Sequence, residues 1–421
     1  MSDNKIQYLA TFFFAISILH TFSVSIFHRL SARYPKGSAA ATFFHLMSEV
    51  EVVFGFWAII FTLAYVLIGG YAAASDYVTT RSYNEPLFVF VIMVVCSSKP
   101  VRDFVNRLIS VVIKLPILKP QIIFFFTAFA IAPLLGSFIT EPAAMTIIAT
   151  LVLNALLEKN EISEKFRYAI LGLLFVNISI GGTLTPYAAP PVLMVTEKWG
   201  WDMSFMLTHF GWKAALACFV STLICFLQNK KSILSFKIVS SSSQASPLWV
   251  QLMSLIFVGV IVLWHKLPIV FIGLFLAFIV FAQFTRKHQH KLKMKESGLV
   301  GFFLAGLVVL GGLQSWWLEP IISRLSSAFL YTSAIALTAV TDNAAITYLG
   351  TLVSHLADES KYVLVAGAVV GGGLTVIANA PNPAGYGILN SSFGEDGIKA
   401  SKLFVGALMP TLVAALIFWF L

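Results

Sequence analysis

The sequence predicts an all-α polytopic membrane protein made of two inverted five-span repeats, each with a re-entrant hairpin and a broken helix. Three observations lead there: a composition too apolar for water, apolar runs of bilayer-crossing length, and a pair of motifs that recurs after ~200 residues.

The 421 residues are 58% hydrophobic and 11% charged, with a mean hydropathy of +0.87. Soluble chains average about 25% charged residues, so this one has too little charge to face water on every side. A soluble cytosolic enzyme, a nucleic-acid binder and a secreted disulfide scaffold are thereby excluded. The net charge of +9 comes from Lys and Arg in short loops between apolar runs, where it acts as a topology signal. Cys96, Cys218 and Cys225 lie in or beside apolar runs with no metal-ligand or redox spacing.

A helix needs about 20 apolar residues to cross the hydrocarbon core. The first run, Gln7–His28, is polar in its middle and has no small-residue cleavage site, unlike a signal peptide. Phe43–Ala74 and Pro86–Ser98 follow. Between Lys99 and Pro120, the residues Val101, Phe104, Val105, Leu108, Ile109, Val112 and Leu115 recur at helical spacing. Lys99, Arg102, Asp103, Arg107 and Lys114 fill other positions, a pattern for a helix lying in the interface rather than crossing it. Further runs are Gln121–Glu158, Phe166–Thr196, Phe205–Leu227, Pro247–Trp264, Leu267–Phe284, Gly298–Trp317, Ser323–Ala357, Tyr362–Leu389 and Leu403–Leu421.

Two of these runs are interrupted, at Gly136–Pro142 and at Thr341–Asn343. Arms too short to cross predict re-entrant hairpins, 121–158 and 323–357, with polar tips near the midplane. Such backbone is tolerated at depth where protein or a cavity surrounds it. Ten spans then remain. The basic clusters Arg29/Arg33/Lys36, Lys99/Arg102, Lys230/Lys231/Lys237 and Arg286–Lys295 follow the first, third, fifth and seventh, all on the cytoplasmic side. The division expected is an N-terminal repeat 1–227 (broken helix 166–196), a cytoplasmic linker 228–246 with the Ser240–Ser243 run, and a C-terminal repeat 247–421 (broken helix 362–389).

The repeat is visible in the residues. Thr140-Glu141-Pro142-Ala143-Ala144-Met145-Thr146-Ile147-Ile148-Ala149-Thr150-Leu151-Val152 and the stretch Thr341–Val353 are identical at seven of thirteen positions, with Glu141 opposite Asp342. Gly181–Pro191 and Gly371–Pro381 share six of eleven. Five spans separate corresponding motifs, an odd number, so the halves insert upside down relative to one another. Interrupted helices at matching places in inverted repeats point to a transporter's binding site. Glycine and proline supply the interruption and free backbone carbonyls as ion ligands.

The Thr341-Asp342-Asn343-Ala344-Ala345 tip resembles the bacterial Na+/H+ antiporter branch of the ion-transporter superfamily. So do Ala378-Asn379-Ala380-Pro381-Asn382-Pro383-Ala384-Gly385 and the stretch His45–Gly55. That superfamily also holds sodium-coupled dicarboxylate carriers and arsenite efflux proteins. The resemblance runs from Phe43 to the C-terminus. It implies a homodimer in a bacterial inner membrane, with a scaffold domain at the interface and a moving transport domain that carries both hairpins. It implies Na+ and H+ as transported partners and no cofactor. The dicarboxylate branch carries Ser-Asn-Thr at its tips, whereas this chain has an acid at each.

Those acids, Glu141 and Asp342, are the leading candidates for ion and proton binding. An acid at membrane depth costs about 2.5–3.5 kcal/mol on insertion scales and marks a functional site by default. Each acid also suits a helix N-terminus, where it would cap the second arm. A dehydrated Na+ takes hard oxygen ligands, here a carboxylate, the hydroxyls of Thr140, Thr185, Thr341 and Thr375, the amide oxygens of Asn343 and Asn379, and broken-helix carbonyls. A carboxyl held among apolar groups favours its neutral form, so a proton competes with the metal ion. Competition for one site plus alternating access is antiport. His45, Glu49 and Glu51 form either a proton-entry relay or a set facing cytoplasmic headgroups; His45 and Glu49 are expected on one helix face, four residues apart.

A sodium-coupled carrier of a small carboxylate or oxyanion is the rival reading. An anion site wants donors, and two acids argue against it. No P-loop, zinc-ligand or nucleophile-base motif supports an enzyme. Cysteines placed in the loops 228–246 and 286–296 are expected to react with an impermeant reagent from the same, cytoplasmic side; labelling from opposite faces would defeat the topology.

Overall fold

The computed structural model describes residues 2–35, 37–113, 118–157, 160, 162–236, 245–394 and 397–421. Lys36, Lys114, Glu158, Lys237 and Ser240–Ser243 lie outside them. Among the described residues there is no strand. The principal helices are α1 (Ser2–Ser31), α2 (Ala39–Met47), α3 (Val50–Gly69), α4 (Tyr71–Thr79), α5 (Asn84–Cys96), α6 (Lys99–Ile113), α7 (Pro120–Ile139), α8 (Glu141–Leu157), α9 (Glu164–Gly181) and α10 (Pro190–Trp199). They continue as α11 (Met203–Gln228), α12 (Leu248–Leu263), α13 (Pro268–Phe284), α14 (Met294–Gly311), α15 (Ser315–Ile322), α16 (Ser327–Thr338), α17 (Asn343–Gly350), α18 (Asp358–Gly371), α19 (Asn382–Leu389) and α20 (Ala400–Phe420).

Seven helices are long and apolar enough to cross a bilayer: Asn4–Val24 within α1, then α3, α7, α9 with its following turn, α11, α14 and α20. Apolar but shorter are α5, α8, α12, α13 and α16. Two expectations change here. The run Phe43–Ala74 divides into three helices, because Glu49 turns to an extended conformation after Ser48 ends α2 and Gly70 adopts φ 84°. The first hairpin arm is not short, since α7 continues through Gly136–Ile139 and reaches 20 residues. It does so with a π turn at Thr127–Ile131, and it stops at one residue, Thr140.

The chain forms two compact units. The first comprises Met1–Phe90, Met294–Ser326 and Tyr348–Ala357. In it α3 and α14 cross at Gly55 and Gly306, where a Cβ on Gly306 would lie 2.3 Å from the Gly55 nitrogen. Small residues at such crossings let helix backbones approach in a membrane. Phe14, Phe54 and Phe303 then stack edge to face beside the crossing.

The second unit comprises Val91–Lys293, Ser327–Thr347 and Asp358–Leu421. Its central member is α9, buried over 83% of its most apolar window, against 33% for α20. At the α9–α20 crossing a Cβ on Gly172 would lie 2.3 Å from the carbonyl carbon of Gly406. Asn177, in the middle of α9, donates to the carbonyl of Phe129 in the π turn and accepts from Ser221 on α11.

The amphipathic α6 buries Val101, Val105 and Ile109 and exposes Leu108 and Val111. Its Asp103 accepts from the amide and hydroxyl of Ser246, both at 2.7 Å, and from Lys99 at 2.9 Å. Burial raises this carboxyl, but the Ser246 donors and the Lys99 ammonium outweigh it and hold Asp103 below the usual carboxylate range. A depressed folded-state value stabilises the fold above the unfolded value and is lost as pH falls through the folded one. Asp103→Ala is therefore expected to lower stability at neutral pH by about 1–3 kcal/mol, the cost of an unsatisfied buried donor. Thermal melts in detergent across a pH series should show that difference shrinking on strong acidification.

Candidate functional site

Both chain breaks of the sequence repeat lie in the second unit. At the first, Thr140 takes φ 73° and ψ 147° and is the one non-glycine residue with positive φ among those described. Glu141 and Pro142 then open α8, where proline's missing N–H does no harm. At the second, α16 ends at Thr338, and Asp342 caps α17 by accepting the Ala344 amide at 2.7 Å. After α9 comes a 3₁₀ turn at Gly182–Leu184 and extended chain at Thr185; after α18 comes a 3₁₀ turn at Val376–Ala378 and extended Asn379.

These breaks meet around one carboxyl group. Glu141 is fully buried, and the Asn379 amide nitrogen donates to its Oε2 at 2.9 Å. Oε1 of Glu141, Oδ1 of Asn379 and Oγ1 of Thr140 are buried with no hydrogen-bond partner among the described residues. Asp342 is close enough for its charge to act on Glu141. Asn343 is also fully buried, with neither amide atom paired; the Thr338 hydroxyl and Asn382 Oδ1 are unpaired as well. Buried polar atoms are ordinarily satisfied, so this concentration of unsatisfied oxygens is unusual. Carboxylate, amide and hydroxyl oxygens form the donor set of a hard cation.

The glycine pairs set the approach distance. A Cβ on Gly182 would lie 2.2 Å from Glu141 Oε1, and one on Gly372 would lie 2.9 Å from the Asn343 amide nitrogen and 2.2 Å from Ser179 Oγ. The aligned glycines thus each let a tip side chain rest on bare backbone.

Thr185 and Thr375 occupy corresponding places. Thr185 donates to the Ser137 carbonyl at 2.5 Å and Thr375 to the Ala339 carbonyl at 2.8 Å. Their protons are committed to pinning extended chain to a helix end, which leaves oxygen lone pairs as their only ligand capacity. Thr341 donates back to Leu337, at 2.8 Å, and is half-buried.

Glu49, Glu51 and His45 belong to the first unit. His45 and Glu49 do not share one helix: α2 ends at Met47 and α3 begins at Val50. Their side chains still approach to 3.7 Å across the joint, both partly exposed. Glu51 stands half-buried in the first turn of α3.

Sequence reasoning missed several participants. Ser137 donates to the Gly181 carbonyl and accepts the Leu184 amide, stapling the first broken helix to α7. Asn382 donates to the carbonyls of Gly372 and Thr375 at 2.7 and 2.8 Å. Each lay inside a motif already singled out, Gly136–Pro142 and Ala378–Gly385. Thr338 carried no such signal.

Residues 5–421 match the family described as "Putative Na+/H+ antiporter". No curated protein matches the chain. With its seven apolar helices, that match makes the chain a multi-pass membrane protein.

Gly182→Ala is expected to push the Glu141 carboxyl aside and weaken cation binding on the order of a hundredfold, the scale of a 1 Å misplacement. Gly259→Ala, whose Cβ would meet nothing within 4 Å, is the matched control. Thermal stabilisation by added NaCl is the readout; equal response in the two variants would remove Glu141 from the binding site.

Proposed function

Because the chain belongs to the Na+/H+ antiporter family, we propose that it is a secondary active transporter exchanging Na+, or Li+ or K+, for H+ by alternating access. One observation carries the reading: Asn379 of one broken helix holds Glu141 of the opposite repeat, beside Asp342, among unpaired oxygens. Two acids that interact titrate as a pair rather than singly. Na+ is bound by the ionised pair with Thr140, Asn343 and Asn379 oxygens, Thr185, Thr375 and Thr341 adding lone pairs where geometry allows. A proton displaces it by neutralising the same carboxyls. Exchange follows because the two ligands cannot occupy the pair together.

The inverted five-span repeat, with hairpins 121–158 and 323–357 around the linker 228–246, is the topology that goes with this function. It is supported by the matching contacts of Gly182 and Gly372 and of Thr185 and Thr375. Both tips and both broken helices lie in one unit, which suits a transport domain; the other unit then suits the scaffold of a homodimer. Glu51, Glu49 and His45 serve as a proton relay at the cytoplasmic side.

Raising pH strips the competing proton, so apparent Na+ affinity is expected to rise with pH until the pair is ionised. Asp342→Asn removes charge and proton exchange at similar size, so NaCl-driven dequenching of a pH-sensitive dye in everted vesicles is expected to vanish. Asp342→Glu is expected to retain some flux with altered Na+/Li+ preference. Normal pH-dependent exchange by the Asn variant would reduce Asp342 to a helix cap, and a response to succinate in place of exchange would favour an anion carrier.

A further inference from the structure

His20, outside the acid pair and its unit, is buried in the apolar stretch of α1 and touches the joint between α2 and α3. Its Nδ1 lies 3.0 Å from the Trp57 indole nitrogen, and its Nε2 lies 2.9 Å from the carbonyl of Met47, the last residue of α2. An indole N–H only donates. Nδ1 must therefore hold a lone pair, and the proton sits on Nε2, where it donates to Met47. The partners fix the ring as one neutral tautomer.

The carbonyl it satisfies is one of the orphans at a helix C-terminus. Two residues on, Glu49 leaves the helical path for an extended conformation, and Glu51 stands in the first turn of α3. Trp57 is two turns further along α3. The imidazole thus joins three helices at the bend that carries both carboxylates of the relay.

We infer that His20 is a positioning residue, a proton-released clamp on the joint that presents Glu49 and Glu51. A second proton can enter only at Nδ1. The imidazolium would then point an N–H at the Trp57 N–H, donor against donor, and one of the three helices must give way. Acid on the cytoplasmic side loosens the joint; a neutral ring holds it. The titratable groups on the surrounding elements are His45 on α2, Glu49 at the joint, Glu51 on α3, and Lys295 and Glu296 in the first turn of α14, which also packs on α1. None of them hydrogen-bonds the ring, whose other neighbour is Phe27 with ring centroids 4.4 Å apart. The role of the clamp in transport rests on the relay reading of Glu49 and Glu51, while its chemistry does not.

His20→Gln separates the two protonation states. A glutamine amide offers one N–H to Met47 and one oxygen to Trp57, so it reproduces the neutral pattern and cannot take a proton. Hydrogen–deuterium exchange over residues 44–52 is compared between wild type and H20Q at each pH, which cancels the chemical exchange rate. At acid pH wild type is expected to exchange about tenfold faster than H20Q, the scale of one lost hydrogen bond. At alkaline pH the two should agree. Trp57→Phe removes the opposing donor, so a second proton no longer sets donor against donor and the acid-dependent loosening is expected to disappear. In vesicles, H20Q should retain more Na+-driven proton flux on the acid side and the same flux on the alkaline side.

A ratio near one at every pH overturns the clamp, whether or not the protein exchanges ions. A pH-dependent ratio with identical transport profiles overturns its part in transport. Acid loosening in a chain that moves no protons with Na+ would sink the antiport reading and leave the clamp standing.

Discussion

A carboxyl group enclosed completely by protein has to be satisfied by protein, and the second unit is organised around that requirement at Glu141. Asn379 supplies one hydrogen bond and leaves one carboxylate oxygen unsatisfied. Gly182 is bare because the carboxyl rests on it. Ser137 and Thr185 tie the extended chain to the end of α7, which keeps that glycine where it is. A buried polar network that is only partly satisfied is costly. Such a network persists when a ligand completes it, which is what the proposed exchange of cation and proton would supply.

The same requirement accounts for Thr140. A β-branched residue at φ 73° stores on the order of 1–3 kcal/mol of backbone strain. The strain places Glu141 at the very start of α8, where the helix dipole favours negative charge. At the other tip the corresponding acid is held differently, through its own cap on the Ala344 amide. The two halves therefore repeat the topology of the break and differ in how each acid is restrained. Asp342 is restrained by local backbone; Glu141 is restrained by a side chain 238 residues away in sequence.

Much of this was legible in the sequence. The apolar runs, the amphipathic helix near Asp103 and the chain breaks at Thr140 and after Thr338 follow from hydropathy, helical spacing and self-similarity. The joint inside Phe43–Ala74 was not, because Ser48-Glu49 carries no glycine or proline to announce it, and the Met47 carbonyl there is met by His20 from α1, a contact no local pattern contains. The stretch Gly136–Pro142 contained the break at Thr140 but not its form, since the helix runs on through Gly136 and the positive φ falls on a threonine. The threonines were readable as polar groups at depth but not as donors already engaged: Thr185 and Thr375 hydrogen-bond across ~40 residues of chain to Ser137 and Ala339. Hydrogen bonds of that range are decided by the fold.

The way the two units divide the chain has a consequence for biosynthesis. The first unit opens at the N-terminus yet lacks α14 and the segment Tyr348–Ala357 until late in translation. The second cannot close until α20 is made, because Gly172 on α9 crosses Gly406 near the end of the chain. Neither unit is a product of one contiguous stretch: the first waits for Ala357 and the second for the final helix. For more than two hundred residues of synthesis α9, with Asn177 in its middle, sits in the bilayer with its closest-packed face uncovered. Chains normally fold domain by domain as they emerge; this one has to hold α9 in lipid with that face open and close the second unit only once α20 is inserted.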